Sequence, residues 1–282
     1  MTFDVAAIIG VPVEQSLSPA MHNAVFHQRN SAWTYVAMEV HEDALSGVLQ
    51  TLGGTSINAF SVTMPHKEAV FEMLSAVSNN LGEVDETAKA ARSVNTIAIR
   101  SGRMFGSNTD GDGCCNAIEQ AGIALAGSRA VVVGAGGTAR AIVAALAKRG
   151  ASDIAVINRT ESRARDAVAG IDGARIGSSD DIASATVLIN ATSVGMGNGE
   201  TPVGATHLHN RLVVLDCVYY PLVTTLLRDA KNAGAVTVDG LWMLVHQGAL
   251  QQLAWFGEIG DVQLMRQAAL DELAQRALHN QM

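Results

Sequence analysis

Arg129-Ala130-Val131-Val132-Val133-Gly134-Ala135-Gly136-Gly137-Thr138-Ala139 is the stretch whose reading decides the fold. Ala130 to Val133 are uninterruptedly apolar, the pattern of a strand buried on both faces of a parallel sheet. Glycines follow at once, and an Ala-rich helix is expected from them to about Arg149. Strand, glycine turn and helix in this order make one βα unit, and GxGxxA in that context is a dinucleotide-binding fingerprint. One glycine permits the tight turn, a second lets backbone approach a pyrophosphate, and the small Ala139 lets the helix lie close to the strand. Phosphate charge would meet the free amides at the helix N-terminus. Glycines alone would fit a structural turn equally well; the flanking strand and helix favour the nucleotide.

Outward from this unit, Ile154 to Ile157, Thr186 to Ile189, Leu212 to Leu215 and Ala235 to Val238 read as further buried strands. Upstream, Val5 to Ile9, Tyr35 to Val40, Ala59 to Thr63 and Val94 to Arg100 read as strands, the last followed by a turn at Gly102. Helices are expected from about Pro19 towards Arg29 and over His41 to Leu52, and after Asp239-Gly240 over Leu241 to Phe256 and Val262 to Ala277. Alternating strands and helices are the α/β signature. At 282 residues the chain exceeds the usual size of one core, so two domains or one large α/β domain are expected.

Composition narrows the function classes. Hydrophobic residues make up 48%, charged residues 16% and aromatic residues 4%, which describes a packed globular enzyme and not a disordered chain. The net charge is −8 without any Lys/Arg run, so nucleic acid is not expected as a partner. Cys114, Cys115 and Cys217 form no CxxC and no paired framework, which argues against a disulfide scaffold or zinc site and fits reduced cytoplasmic thiols. The apolar N-terminal stretch is broken by Gly10 and Pro12 and has no basic segment before it, so neither signal peptide nor membrane span is expected.

The strand ending at Ile157 carries the cofactor's second determinant. An acidic residue at such a tip binds the ribose hydroxyls of NAD; here the tip reads Asn158-Arg159-Thr160-Glu161-Ser162-Arg163. A carboxylate would repel a 2′-phosphate, whereas Arg159, Arg163 and the Thr160 hydroxyl can clamp it, so NADP is expected. The alternative is a pair of solvated arginines at a helix start.

The remaining polar clusters each follow a strand, where open α/β sheets bind ligands. Ser16 and Ser18 precede a helix; each hydroxyl can donate to a carboxylate, and Ser18 is expected to cap the helix amides as well. Alone, the pair would be an ordinary helix cap. Thr63-Met64-Pro65-His66-Lys67 supplies a lysine, and Asn108-Thr109-Asp110 an acid that alone would read as a turn residue. His66 is expected to point away from Lys67 if the segment is extended. The histidines show no metal-ligand spacing, and His207 and His209 read as solvated loop residues rather than a chelating pair, so no metal is expected.

Together these clusters resemble the shikimate dehydrogenase family over nearly the whole chain. The resemblance rests on GxPxxxSxSPxxHN at Gly10 to Asn23, SVTMPHK at Ser61 to Lys67, VNT at Val94 to Thr96 and NTDxxG at Asn108 to Gly113. It continues through GAGGxxRA at Gly134 to Ala141, NRTxxR at Asn158 to Arg163, NATSxGM at Asn190 to Met196, DxVYxP at Asp216 to Pro221 and HQGA at His246 to Ala249. It implies an α/β protein with an N-terminal mixed α/β substrate domain over residues 1–112 and a Rossmann-type doubly wound parallel-sheet domain over 113–239. The C-terminal helices of 240–282 would return to the first domain.

By the same resemblance, Ser16 and Ser18 would hold a substrate carboxylate, and Thr63, Asn95 and Gln247, with Tyr219 nearby, the ring hydroxyls and carbonyl. Lys67 and Asp110 would be the catalytic pair. Gly134, Ala135, Gly136, Gly137, Thr138, Asn158, Arg159, Thr160 and Arg163 would bind NADP, with Asn190 to Ser193 (Thr192 and Ser193 among them), Cys217 and Gly240 near its nicotinamide. The implied activity is NADPH-dependent reduction of 3-dehydroshikimate to shikimate in aromatic amino-acid biosynthesis by a cytoplasmic monomer or homodimer. A paralogue acting on quinate or another ring acid and a non-catalytic NADP-binding regulator are the alternatives; retention of Lys67 and Asp110 speaks against the regulator. One departure is Ser61, where the family usually has Asn; a shorter side chain there is expected to leave the site roomier or differently hydrated.

Overall fold

The computed structural model describes residues 4–52, 57–76 and 81–279. The chain divides into two compact units, Met1–Thr109 with Gly248–Met282, and Asp110–Gln247.

The first unit carries β1 (Val5–Gly10), α1 (Ser18–Gln28), β2 (Thr34–Glu39), α2 (Glu42–Leu52), β3 (Ile57–Val62), α3 (Lys67–Ser75), β4 (Gly82–Val84), α4 (Glu86–Ala91), β5 (Thr96–Arg100) and β6 (Arg103–Ser107). Its sheet runs β2-β1-β3-β5-β6-β4. Helical crossovers make β1 parallel to β2 and β3, whereas β5 runs antiparallel to β3 and β6. The switch to antiparallel pairing at β5 and β6 is a two-residue hairpin: Ser101 and Gly102 both have positive φ, 51° and 76°, the backbone of the tight turn that matches strand twist.

Period-two alternation in β1 builds two layers. Ala7 and Ile9 pack with Leu45 and Leu49 of α2 and Val70 and Leu74 of α3. Ala6 and Ile8 face the other way, to Phe26 of α1, Tyr35 of β2, and Trp255 and Phe256 near the C-terminus. That second layer is where the chain from Gly248 onward joins this unit: α10 (Val262–His279) packs along α1.

The second unit comprises α5 (Asp110–Gln120), β7 (Arg129–Val133), α6 (Gly137–Lys148), β8 (Asp153–Ile157), α7 (Glu161–Val168), β9 (Ala174–Ile176), β10 (Val187–Asn190), β11 (Val213–Asp216), α8 (Thr225–Asn232) and β12 (Val236–Val238). To these is added α9 (Gly240–Phe256) as far as Gln247. The sheet is parallel throughout, ordered β12-β11-β10-β7-β8-β9. Strand order reverses between β7 and β10, the switch point at which doubly wound sheets bind ligands. Val132 packs under Ile142 and Leu146 of α6, while Val131 and Val133 face Leu226 and Leu227 of α8.

Asp110, which alone would read as a turn residue, opens α5, and Gly111 to Gly113 follow it in the first turn of that helix. Glycine costs a helix about 1 kcal/mol against alanine, but a Cβ at Gly111 would lie 2.9 Å from Ala145 Cβ and nearer still to the Ala141 backbone. The small residues let α5 lie against α6, and that packing outweighs local propensity.

Candidate active site

In the first unit the expected substrate residues converge on one sheet edge: the carboxyl ends of β1, β3 and β6 and the amino end of β5. Thr63 N donates to Ile9 O (2.9 Å) and Val11 N to Met64 O (3.0 Å), knitting the loop after β1 to the loop after β3. Gly10 permits this, since a Cβ there would lie 2.7 Å from Met64 O. Beyond Thr63, the cis Met64–Pro65 peptide leads to half-buried Lys67, which opens α3. His66 is turned inward, buried, with Nε2 2.5 Å from Val40 O. Its backbone is helical, at the N-cap position of α3, and not extended as the expectation supposed.

Ser18 departs from its expected role. Leu17 already has helical backbone angles and is the N-cap, so Ser18 lies inside the helix and caps nothing. Its own amide donates to Ser16 Oγ at 3.2 Å, and its buried side chain lies near the Tyr35 phenol.

That phenol starts a buried relay. Tyr35 donates to Ser61 Oγ (2.6 Å), and Ser61 donates to Gln251 Oε1 (2.8 Å). Gln251 Nε2 donates to Asn95 O (3.0 Å) and Thr96 Oγ1 (3.2 Å). Asn95 Oδ1 accepts from Thr96 Oγ1 (2.7 Å) and Thr109 N (2.9 Å), while its amide donates to Thr109 Oγ1 (2.9 Å). Burial pushes the Tyr35 phenol far above its ordinary pKa, so it stays a donor. The roomier pocket expected at Ser61 is therefore not found: Ser61 is 4% exposed and its hydroxyl both accepts and donates.

Tyr35 and Gln251 were not singled out from the sequence. The available signal for the glutamine was Gln251-Gln252, a polar pair inside the otherwise apolar Leu250 to Phe256.

The second unit holds the glycine loop as the fingerprint requires. Gly134 has φ +120°, and a Cβ would lie 2.8 Å from Ala191 O, so glycine is needed both for the turn and for the approach of β10's loop. At Gly136, the N-cap of α6, a Cβ would meet nothing within 4 Å. There is thus room beside the start of α6, and Ala139 is fully buried against the sheet. A pyrophosphate fits this cradle. Thr138 Oγ1 donates to Asp110 Oδ2 at 3.0 Å, tying the glycine loop to the buried acid that opens α5.

At the tip of β8, Asn158 donates to Thr160 O (2.8 Å), forming the turn into α7. Arg159, Thr160 and Arg163 are exposed. The one carboxylate in this stretch, Glu161, pairs with Arg165 one turn along (2.8 Å), leaving Arg159 and Arg163 without an ion pair among the described residues. Beyond β10, Asn190 Oδ1 accepts from Thr192 N (3.0 Å) and Thr192 Oγ1 (2.7 Å), and its amide reaches Asp216 Oδ1 (2.8 Å) at the end of β11. Ser193 is exposed and Cys217 and Tyr219 are half-buried. Gly240 brings α9 against the carbonyls of Asp216, Cys217 and Val218, each within 2.7 Å of where a Cβ would stand. Gln247 is buried, its amide on Leu244 O (2.9 Å) and its backbone against Gly113. His209 reaches Ile182 O (3.0 Å), and no cluster of potential metal ligands occurs among the described residues.

Two family models match the chain: the shikimate dehydrogenase substrate binding domain over residues 8–97 and shikimate / quinate 5-dehydrogenase over residues 117–198. The shikimate dehydrogenase (NADP(+)) of Thermococcus kodakarensis is 42% identical over 272 residues, 95% of this chain and 96% of that protein. The chain belongs to the shikimate dehydrogenase family.

Solved members share its architecture. The shikimate 5-dehydrogenase of Thermus thermophilus, in complex with NADP(H) and shikimate, has a TM-score of 0.88 and 34% identity, covering 95% of this chain and 99% of that one. The ligand-free 5-ketofructose reductase of a Gluconobacter species has a TM-score of 0.85 and 31% identity, covering 96% and 99%. Similar folds thus carry different substrate names, so substrate choice on this fold must be argued from side chains. No helix among the described residues is long and apolar enough to cross a membrane.

Proposed function

We propose that this family member is an NADP-dependent shikimate dehydrogenase that interconverts 3-dehydroshikimate and shikimate. Ser16 and Ser18 hold the ring carboxylate, and Thr63, Asn95, Tyr219 and Gln247 orient the ring hydroxyls and carbonyl. The glycine loop from Gly134 to Thr138 takes the pyrophosphate. Asn158, Arg159, Thr160 and Arg163 take the adenosine 2′-phosphate, where two guanidiniums without an ion pair among the described residues give charge-assisted bonds and the neighbouring Glu161 is paired with Arg165. Thr192, Ser193, Cys217 and Gly240 line the nicotinamide end.

NADPH supplies the hydride. Reduction of a ketone leaves an alkoxide, which needs a cation and a proton. Lys67 supplies both from the start of α3, and Asp110 works with it as the partner carboxylate. The observation that carries this reading is the Thr138–Asp110 hydrogen bond, which fixes the proposed acid by the loop proposed to hold the cofactor.

The test is a steady-state panel of shikimate and quinate with NADP+ and NAD+, on the parent and on Lys67→Ala. Shikimate with NADP+ is expected to be the most efficient pair, and Lys67→Ala to lower kcat by about 100-fold or more, the scale of a lost general acid/base. Higher efficiency with quinate would move the chain to the paralogue reading, and near-parental turnover in Lys67→Ala would remove the mechanism.

A further inference from the structure

The proposed carboxylate seat is gripped from behind by the C-terminal helix. Arg276 of α10 donates from Nη1 to Gln15 O (2.8 Å) and from Nη2 to Ser16 O (3.1 Å), while its Nε donates to Glu272 Oε1 (2.7 Å) one turn earlier. The planar fork is thereby engaged on two successive peptide carbonyls and held in direction by the carboxylate. The Ser16 hydroxyl on that peptide also receives the Ser18 amide, so the orientation of the 15–16 peptides sets where both serines present. The side chain is 28% exposed, and beside it lies a cavity of about 210 Å³ lined by Gln15, Glu272, Gln275, Arg276 and His279.

We propose that Arg276 is a positioning residue for substrate binding: it locks the loop that presents Ser16 and Ser18 and places a cation behind the seat for an anionic ring acid. This rests on the reading of the two serines as the carboxylate seat. The loop between β1 and α1 is anchored at its start by Val11 N on Met64 O (3.0 Å) and by buried Val13 and Leu17, and Ser16 N on Val13 O (3.0 Å) is a local turn bond, whereas the Gln15 and Ser16 carbonyls are held from outside the loop by Arg276. Without the fork the carbonyls turn to water and the serine hydroxyls lose their common direction, an effect on ground-state binding and not on the hydride step. Glu272 offsets part of the charge, so orientation is the larger contribution.

The experiment measures kcat and KM for shikimate and for NADP+ in Arg276→Ala, Arg276→Lys and Ser16→Ala, each checked for parental thermal unfolding. Arg276→Ala is expected to raise the shikimate KM about tenfold, the scale of a charged hydrogen-bond pair, with kcat within about twofold and the NADP+ KM unchanged. Lysine keeps the charge but cannot fork, so Arg276→Lys should recover only part of the loss. Because the deleted guanidinium borders a cavity, low non-denaturing guanidinium chloride should restore the shikimate KM of Arg276→Ala where equal sodium chloride does not.

A raised KM in Ser16→Ala with parental KM in Arg276→Ala would overturn the clamp alone. Parental KM in Ser16→Ala would overturn the seat and the clamp with it. Parallel losses in kcat and both KM values would mark a merely structural arginine and overturn the proposal. If Arg276→Ala does not fold, Arg276→Lys decides: a several-fold rise in the shikimate KM supports the fork, and a parental value refutes it.

Discussion

His22 sets an acid limit on stability that can be measured directly. It sits on α1, fully buried, its ring stacked on Tyr35 at 4.4 Å and tilted against Trp255 at 5.2 Å. The Gln252 amide nitrogen lies 3.2 Å from Nδ1, and Nε2 has no hydrogen-bond partner among the described residues. The cation nearest in this network is Arg29, which donates to Gln252 Oε1 at 3.3 Å and so discourages a second positive charge. Burial pushes the His22 pKa down to about 3, a neighbouring Gln251 amide offsetting part of the fall.

In the unfolded chain the imidazole takes its proton near its ordinary value of 6.5. A base whose folded pKa is depressed contributes stability that is fully present above the unfolded value and is lost as pH falls towards the folded one. Each pH unit in that window costs about 1.4 kcal/mol, so moving from pH 7 to pH 5 costs about 2 kcal/mol. That is a large share of a typical folding free energy. The assay is urea unfolding at pH 7 and pH 5 for the parent and His22→Phe, which keeps a ring in the stack and cannot titrate. The variant starts lower, by about 1 to 3 kcal/mol, because Gln252 loses its partner. Its further loss between the two pH values should nevertheless be about 2 kcal/mol smaller than the parent's. Other buried bases, such as the half-buried His246 whose pKa burial also lowers, cancel in the comparison. Equal losses in parent and variant would refute the reasoning.

Replacing Arg159 with Asp should cut catalytic efficiency with NADP+ by about tenfold or more and leave NAD+ nearly unchanged, since repulsion replaces a charge-assisted bond at the 2′-phosphate; equal losses with both cofactors would sink the clamp at this tip. Ser61→Asn should destabilise by about 1 to 3 kcal/mol, because a larger amide must enter a filled relay in which Tyr35 and Gln251 already satisfy the hydroxyl; a parental denaturation midpoint would show that the relay yields without cost.

The β7–α6 nucleotide unit was legible because its signals are local: an apolar run, glycines at fixed offsets, and an Ala-rich helix, all within the reach of a few residues. The turn at Gly102 was legible for the same reason. What stayed hidden depends on contacts between distant segments. Asp110 alone reads as a turn residue until Gly111 beside it is seen to pack against Ala141 and Ala145 of α6. Ser18 reads as a cap until Leu17 is seen to take the N-cap position. Ser61 was read through the size of one side chain, whereas its environment is set by a tyrosine of β2 and a glutamine of α9. The residues proposed to carry the chemistry rest on motif order, a different source from periodicity, which by itself says nothing of Lys67.

The loops proposed to face the nicotinamide show why such hidden contacts matter. Asp216 is fully buried at the end of β11, and burial raises its pKa, the mark of a carboxylate that is costly to keep there. Three donors offset that cost: Thr224 Oγ1 at 2.7 Å, Asn190 Nδ2 at 2.8 Å and Val218 N at 3.0 Å. A hydrophobic residue of similar volume would pack without that desolvation cost, but it would leave the Asn190 amide with only Val194 O at 3.1 Å. Asn190 in turn holds Thr192 by both its amide and its hydroxyl. The carboxylate is therefore best understood as a device that spends stability to fix two loops, after β10 and after β11, relative to one another. Those loops carry Thr192, Ser193 and Cys217, and Gly240 lets a helix close over the second of them. Hydride transfer depends steeply on placement, and a network satisfied at every member holds one arrangement where an apolar contact would tolerate several.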